Sequence, residues 1–371
     1  MKDHLMLLVW FLLVSAFVLL VLRAVLFKGP YAPSSQPPKG ILDMHCHTAG
    51  FGAGDSGARV STSLRESWKF RLYLKIFGTS EEEVIEKGDG IVMDIIVRQI
   101  TNSRFVDDVV ILAMDAPYDG EGNLIEDEIE VYVPNRFVGE AVKTRKGLHF
   151  GSSVHPNRKD ALEELEWSKE NGAVFVKWLP NIQGIDPSNE KYCDYYLKLV
   201  ELDLPLLTHV GDEDSFSRTD NALGDPKLLK LPLECGVRII AAHVASSGER
   251  DGVENIERLV EMMPDFPNLH ADISTLTQAN RSKYLPQVLN DERLKDRLMY
   301  GTDYPLTNTP LVTALQFPLR LTIRELVDIA LTKNSWDRDV KLKSALGCSR
   351  DVFELSRSFL KLNSGIERPF Q

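Results

Sequence analysis

The chain has 371 residues, 43% of them hydrophobic and 26% charged. This is ordinary globular composition, which excludes disorder, a collagenous chain and a disulfide-stapled miniprotein. A net charge of −11 argues against a nucleic-acid partner. Four cysteines, none in a C-x-x-C pair, make neither a disulfide framework nor a zinc knuckle; they read as reduced thiols, which favours the cytosolic side.

Leu5 to Leu22 is apolar throughout except for Ser15. At helical rise this run covers roughly 27 Å, close to the hydrocarbon thickness of a bilayer. A cleaved signal peptide is the competing reading, but its apolar region is about 7–15 residues and ends in small residues. Here Arg23, Lys28 and Gly29-Pro30 follow instead. Residues 1–28 are therefore read as a single-pass membrane anchor with the lipid bilayer as partner. Residues 29–40, rich in Pro, Ser and Gly, are read as a tether. The positive-inside bias of Arg23, Lys28 and Lys39 places the remaining domain, 41–371, on the cytoplasmic side.

In that domain short β-prone runs alternate with helical stretches. The strands are expected at 41–47, 109–115, 148–155, 173–179, 205–210, 237–244, 268–274 and 297–303. Several are almost continuously apolar, as strands buried on both faces are. Helical periodicity appears at 160–170, 191–202, 253–263 and 281–294. Eight alternations imply an α/β chain with a (β/α)8 barrel. An open doubly wound sheet would carry G-x-G-x-x-G after its first strand, whereas Gly50-Phe51-Gly52-Ala53-Gly54 has the wrong spacing and reads as a flexible loop. Two insertions follow the first two strands, 48–88 with one helix expected over 64–76, and the acidic 116–134.

His45-Cys46-His47 ends the first expected strand. Alternation puts His45 and His47 on one face, with Asp43 one step lower to orient a ligand and Cys46 facing away. Two imidazoles so placed can share one metal ion. Polar residues also close four later strands: Lys177, His209, His243 and Asp303. A single such residue is more often a satisfied core group; together they are hard to explain as packing.

This set, H-x-H on strand one, Lys on four, His on five and six and Asp on eight, resembles the amidohydrolase superfamily of metal-dependent barrels over about Ile41 to Tyr304. The segments around Lys177-Trp178-Leu179-Pro180 and Thr208-His209-Val210-Gly211 are similar to its amidohydrolase-related branch, which also contains decarboxylases related to aminocarboxymuconate-semialdehyde decarboxylase. The resemblance implies that His45 and His47 hold a first metal, that Asp303 ligates it and acts as general base, and that His209 is a ligand. His243 is implied as a second ligand or an electrophilic helper. Lys177 would be carboxylated if two metals bind. One or two divalent ions are expected, zinc first among them, with a small-molecule substrate and a homodimer as the assembly to test.

His155 and Asp272 near strand ends, and Trp178, Tyr304 and Arg59 in the loops, are candidate substrate contacts, with packing roles about equally weighted. Asp212, Glu213 and Asp214 read as a solvated turn. Three activities stay open. A hydrolase would act on an amide, ester, lactone or cyclic C–N bond. A decarboxylase is the alternative on the same scaffold. A non-catalytic membrane-anchored binding protein would have lost ligand positions, and none is lost here.

Overall fold

The computed structural model describes residues 2–27, 36–309 and 312–362. Eight strands form one parallel sheet in chain order. They are β1 (Ile41–His47), β2 (Val106–Leu112), β3 (Leu148–Ser152), β4 (Ala173–Trp178), β5 (Leu206–Thr208), β6 (Ile239–Ala241), β7 (Leu269–Asp272) and β8 (Leu298–Met299). The sheet closes on itself just past β8, where Asp303 N donates to His45 O at 2.8 Å and His47 N to Tyr304 O at 2.9 Å. The result is a (β/α)8 barrel with helices outside. Among the helices are α1 (Lys2–Leu26), α2 (Trp68–Phe77), α3 (Ile91–Thr101), α4 (Asn135–Lys143), α5 (Ala161–Glu170), α6 (Cys193–Glu201), α7 (Asn255–Met262), α8 (Tyr284–Leu289), α9 (Ile323–Leu331), α10 (Ser335–Ala345) and α11 (Arg350–Phe359), with further short helices such as Glu81–Lys87 and turns between them.

The barrel interior is apolar below and polar above. Leu42, Met44, Val110, Leu112, Phe175, Leu207, Ile240 and Met299 pack inside it. Leu360 closes the lower end, with Leu355 and Phe359 of α11 packed against the same cluster. A second, larger core lies between sheet and helices.

Most later strands are shorter than expected. The chain leaves β5, β6 and β8 before reaching His209, His243 and Asp303, so these side chains sit on the turns above the barrel. The expected helix over 64–76 is two helices, Thr62–Glu66 and α2, broken at Ser67. Ser67 takes an extended conformation, and its hydroxyl accepts from Phe70 N at 3.3 Å, capping α2. The Gly50–Gly54 run is pinned rather than loose: the Asp89 carboxylate accepts from Phe51 N, Gly52 N and the Ser56 hydroxyl. A side chain at Gly50 would run into that carboxylate. The expected tether falls largely outside the described residues. Helix α1 is long and apolar enough to cross a membrane, with a mean hydropathy of 3.0.

Candidate metal centre

Strand β1 is irregular where it matters. Asp43 pairs with Val109 and Cys46 with Ile111, so β1 spends three steps where β2 spends two. Leu42 and Met44 face the barrel interior, yet His45 and His47 face it as well. The bulge changes the phase of alternation between Met44 and His45. The expectation that Asp43 shares the face of the histidines is therefore corrected: Asp43 points outward. There its carboxylate accepts from Trp336 Nε1 at 2.7 Å, Thr302 N at 3.0 Å and Thr302 Oγ1 at 2.5 Å. It ties β1 to the closing segment and supports His45 through its backbone, His45 N donating at 3.1 Å.

The remaining site groups converge on the upper end of the barrel. His47 Nε2 lies 3.1 Å and His45 Nε2 3.5 Å from Asp303 Oδ1, and His243 Nε2 lies 3.9 Å from Asp303 Oδ2. Lys177 Nζ is 3.5 Å from His45 Nε2. The rings of His45 and His243 are 5.1 Å apart, and those of His209 and His243 5.3 Å. His45, His47 and Asp303 form one group able to hold a cation, and His45, His243 and Asp272 another. Backbone conformation aims two of these side chains: His243 and Asp303 both have φ near +58°, in the left-handed region that non-glycine residues seldom adopt.

Hydrogen bonds set the tautomers. Asp272 Oδ2 can only accept, so His45 Nδ1 donates to it at 2.8 Å and the lone pair lies on Nε2. The Ser274 hydroxyl is spent on Asp272 Oδ1, so it accepts from His243 Nδ1 at 2.7 Å, again leaving Nε2 as the lone-pair nitrogen. Asp272 Oδ1 also accepts from His243 N at 2.9 Å, which holds the strained turn. Burial lowers the His45 and His243 imidazoles below their ordinary range and His209 to about 4, so all three stay neutral at pH 7. Burial would raise the Asp303 carboxyl; positive charge on His45, whenever that ring is protonated, the hydrogen bond from His47 and then charge on His243 outweigh it and hold it below the usual carboxylate range. Burial brings Lys177 down to about 8.

These residues fit a divalent metal ion. Neutral imidazoles with lone pairs on Nε2 and an ionised carboxylate are a zinc-type donor set. His209 Nε2 is buried without a hydrogen-bond partner among the described residues, as a nitrogen reserved for a cation would be.

A family model described as amidohydrolase matches residues 43–325. The chain belongs to the amidohydrolase family. It is thus a metal-dependent enzyme of the amidohydrolase superfamily. Among solved structures it is similar to an uncharacterised TIM-barrel protein from Bordetella bronchiseptica (13% identity, 82% of this chain and 99% of that one, TM-score 0.51). It is also similar to a 2,6-dihydroxybenzoate decarboxylase from Rhizobium (12%, 87% and 99%, 0.45) and a dihydroorotase from Campylobacter jejuni (13%, 90% and 87%, 0.42). No curated protein matches the sequence.

This cluster forms the floor of an open cavity of about 180 Å³, lined there by His45, His47, Lys177, His209, His243 and Asp303. Of the five expected substrate contacts, Asp272 alone joins this cluster, and it does so from behind His45. The other four lie off the cavity lining. Trp178 is the last residue of β4, one step out of phase with Lys177; its indole donates to Val154 O at 2.8 Å and packs on Tyr195. His155 Nε2 donates to Gln183 O at 2.9 Å, and its Nδ1 accepts from Asn157 N at 3.0 Å. Tyr304 stacks on Trp336 with centroids 4.6 Å apart. Arg59 is exposed and pairs with Glu126.

The cavity groups Glu213, Tyr73 and Glu130 were missed. Glu213, expected in a solvated turn, is buried and lines the cavity, with Oε2 3.6 Å from His209 Nδ1. Tyr73 of α2 also lines it. The run Asp212-Glu213-Asp214 looks like surface in sequence; helical parity within 64–76 was the available signal for Tyr73.

Proposed function

We propose that this amidohydrolase is a hydrolase that cleaves a small-molecule amide, ester, lactone or cyclic C–N bond with the help of one or two divalent ions, zinc foremost. The observation that carries the reading is the convergence of four imidazoles and the Asp303 carboxylate on one cavity floor. His45, His47 and Asp303 would hold one ion, with His209 and His243 as further nitrogen donors. A bound ion supplies Lewis-acid polarisation and acidifies water at the site.

The chain's own residues do the rest. Asp303, held as a carboxylate, accepts the proton of the attacking water and returns it to the leaving nitrogen or oxygen. Asp272 holds His45 and His243 in the tautomer that leaves Nε2 unprotonated. Lys177, shielded from solvent, would have an amine neutral enough to add CO2, forming an N–C bond and releasing a proton; the resulting carbamate would offer a further oxygen ligand to a divalent ion. The decarboxylase alternative needs a cationic seat for a substrate carboxylate. Among the described residues lining the cavity Lys177 is the only Lys or Arg, and the neighbouring Arg281, close enough to act on His209 and Asp303, already donates to Thr275 Oγ1 at 3.2 Å, which favours hydrolysis. Helix α1 would anchor the enzyme to a bilayer, with its domain on the cytoplasmic side.

The test is metal stoichiometry on the chain freed of its first 40 residues, with and without bicarbonate, beside the Asp303→Asn variant. Tightly held divalent ion is expected, rising on bicarbonate if Lys177 bridges two ions. Asp303→Asn is expected to abolish turnover while lowering metal content less; equal loss of both would remove Asp303 as base. CO2 release from an added carboxylic acid would decide for the decarboxylase.

A further inference from the structure

The cavity has a polar floor and apolar walls, and the walls have a single main source. Phe70, Leu74 and Phe77 lie at i, i+4 and i+7 of α2, so one face of that helix presents a continuous apolar stripe to the cavity. Phe51 and Leu64, from the same insertion, extend it, and Phe216 from the loop above β5 faces it. The wall charges are the acids Glu130 and Glu213. Glu130 accepts from Ser217 N and Oγ, each at 2.9 Å from its Oε2, which fixes the loop carrying Phe216. Burial, and then Glu213, Glu130 and Asp303, raise the Tyr73 hydroxyl, so it remains a donor. Burying polar groups against these walls would cost their hydration.

We infer that the site selects a neutral carboxamide or ester whose acyl or aryl group is long and apolar, the reacting carbonyl lying on the polar floor and the apolar group along the face of α2. The inference rests on the hydrolase reading for its reacting group, but on the walls alone for its apolar half. An anionic tail is disfavoured twice over, by lost hydration and by Glu130 and Glu213. A short substrate would leave the stripe in contact with water.

The test is calorimetric titration of the full chain, carried in lipid nanodiscs and loaded with zinc, with empty nanodiscs as blank. The probes are straight-chain primary amides from acetamide to decanamide, and amides of matching length ending in a carboxylate. The Kd is expected to fall about threefold for each added methylene. The terminal carboxylate is expected to weaken binding at least tenfold relative to the plain amide. Leu64→Asp and Phe216→Asp, at half-buried positions that tolerate change, are expected to flatten the length dependence with zinc content kept. A Kd indifferent to length, or terminal carboxylates that bind as tightly as plain amides, overturns the inference while retained zinc leaves the metal centre standing. Failure to hold zinc counts against the hydrolase reading instead. The length series on the metal-free chain, whose walls are the same, then decides the apolar half by itself.

Discussion

Asp272 lies outside the cavity lining, yet its two oxygens address His45 Nδ1, the His243 backbone and Ser274. Replacing it with Asn keeps the shape but substitutes an amide for an obligate acceptor, so the imidazoles lose their fixed tautomer. Asp272→Asn is expected to lower zinc affinity about 10–100-fold, read by competition with a chromogenic chelator. His155 sets a different expectation. Burial holds its imidazole down to about 4, from an ordinary 6.5, and both ring nitrogens are engaged in the neutral form. Between those values the unfolded chain binds a proton that the folded chain does not, so this residue makes stability fall as pH drops from about 6.5 to 4. His155→Gln is expected to make that fall shallower, measured by urea unfolding at the two ends of the window. At this scale much of the centre was legible: His45, His47, Lys177, His209, His243 and Asp303 are the polar ends of apolar runs. What was hidden depended on neighbours remote in sequence. Nothing in the residue types of β1 announces a bulge, so strict alternation put Asp43 on the wrong face. Trp178, His155 and Tyr304 were drawn toward the substrate by proximity to strand ends, whereas one step of phase or a stacking partner turns each away.

Elements were legible in kind more than in extent. All eight strands were expected, but β8 is two residues where seven were expected, because the chain turns early to aim Asp303 inward. Pro286 and a further turn at Glu292–Leu294 shorten the expected helix at 281–294 to α8. The C-terminal α11 left no motif to read, yet it closes the barrel from below. Phe353 of α11 is buried with its ring 5.3 Å from that of Tyr300. Phe353→Ala is expected to destabilise the fold by about 3–5 kcal/mol through the cavity it leaves. The check is the urea midpoint, with an unchanged m-value confirming that unfolding stays cooperative.

At the scale of the molecule, an exposed apolar helix precedes an acidic barrel. Arg23, near the end of α1, donates to Leu321 O at 2.6 Å, a contact between helix and domain. If α1 anchors the chain, the full protein is expected to pellet with membranes and resist extraction by high salt. The chain freed of its first 40 residues is expected to stay in the supernatant and keep its metal. Fractionation of both forms, with zinc assayed in each, checks this; a soluble full chain would point to a removed leader.

The irregularity in β1 divides that strand into two halves with separate obligations. Were it regular, Leu42 and Met44 could face inward only with both imidazoles turned out among the helices. Because it is not, the lower half answers to hydrocarbon and the upper half to chemistry, and each can drift in evolution without dragging the other. Changes in bulk at Met44 would retune how firmly the enzyme stands while leaving what it does untouched.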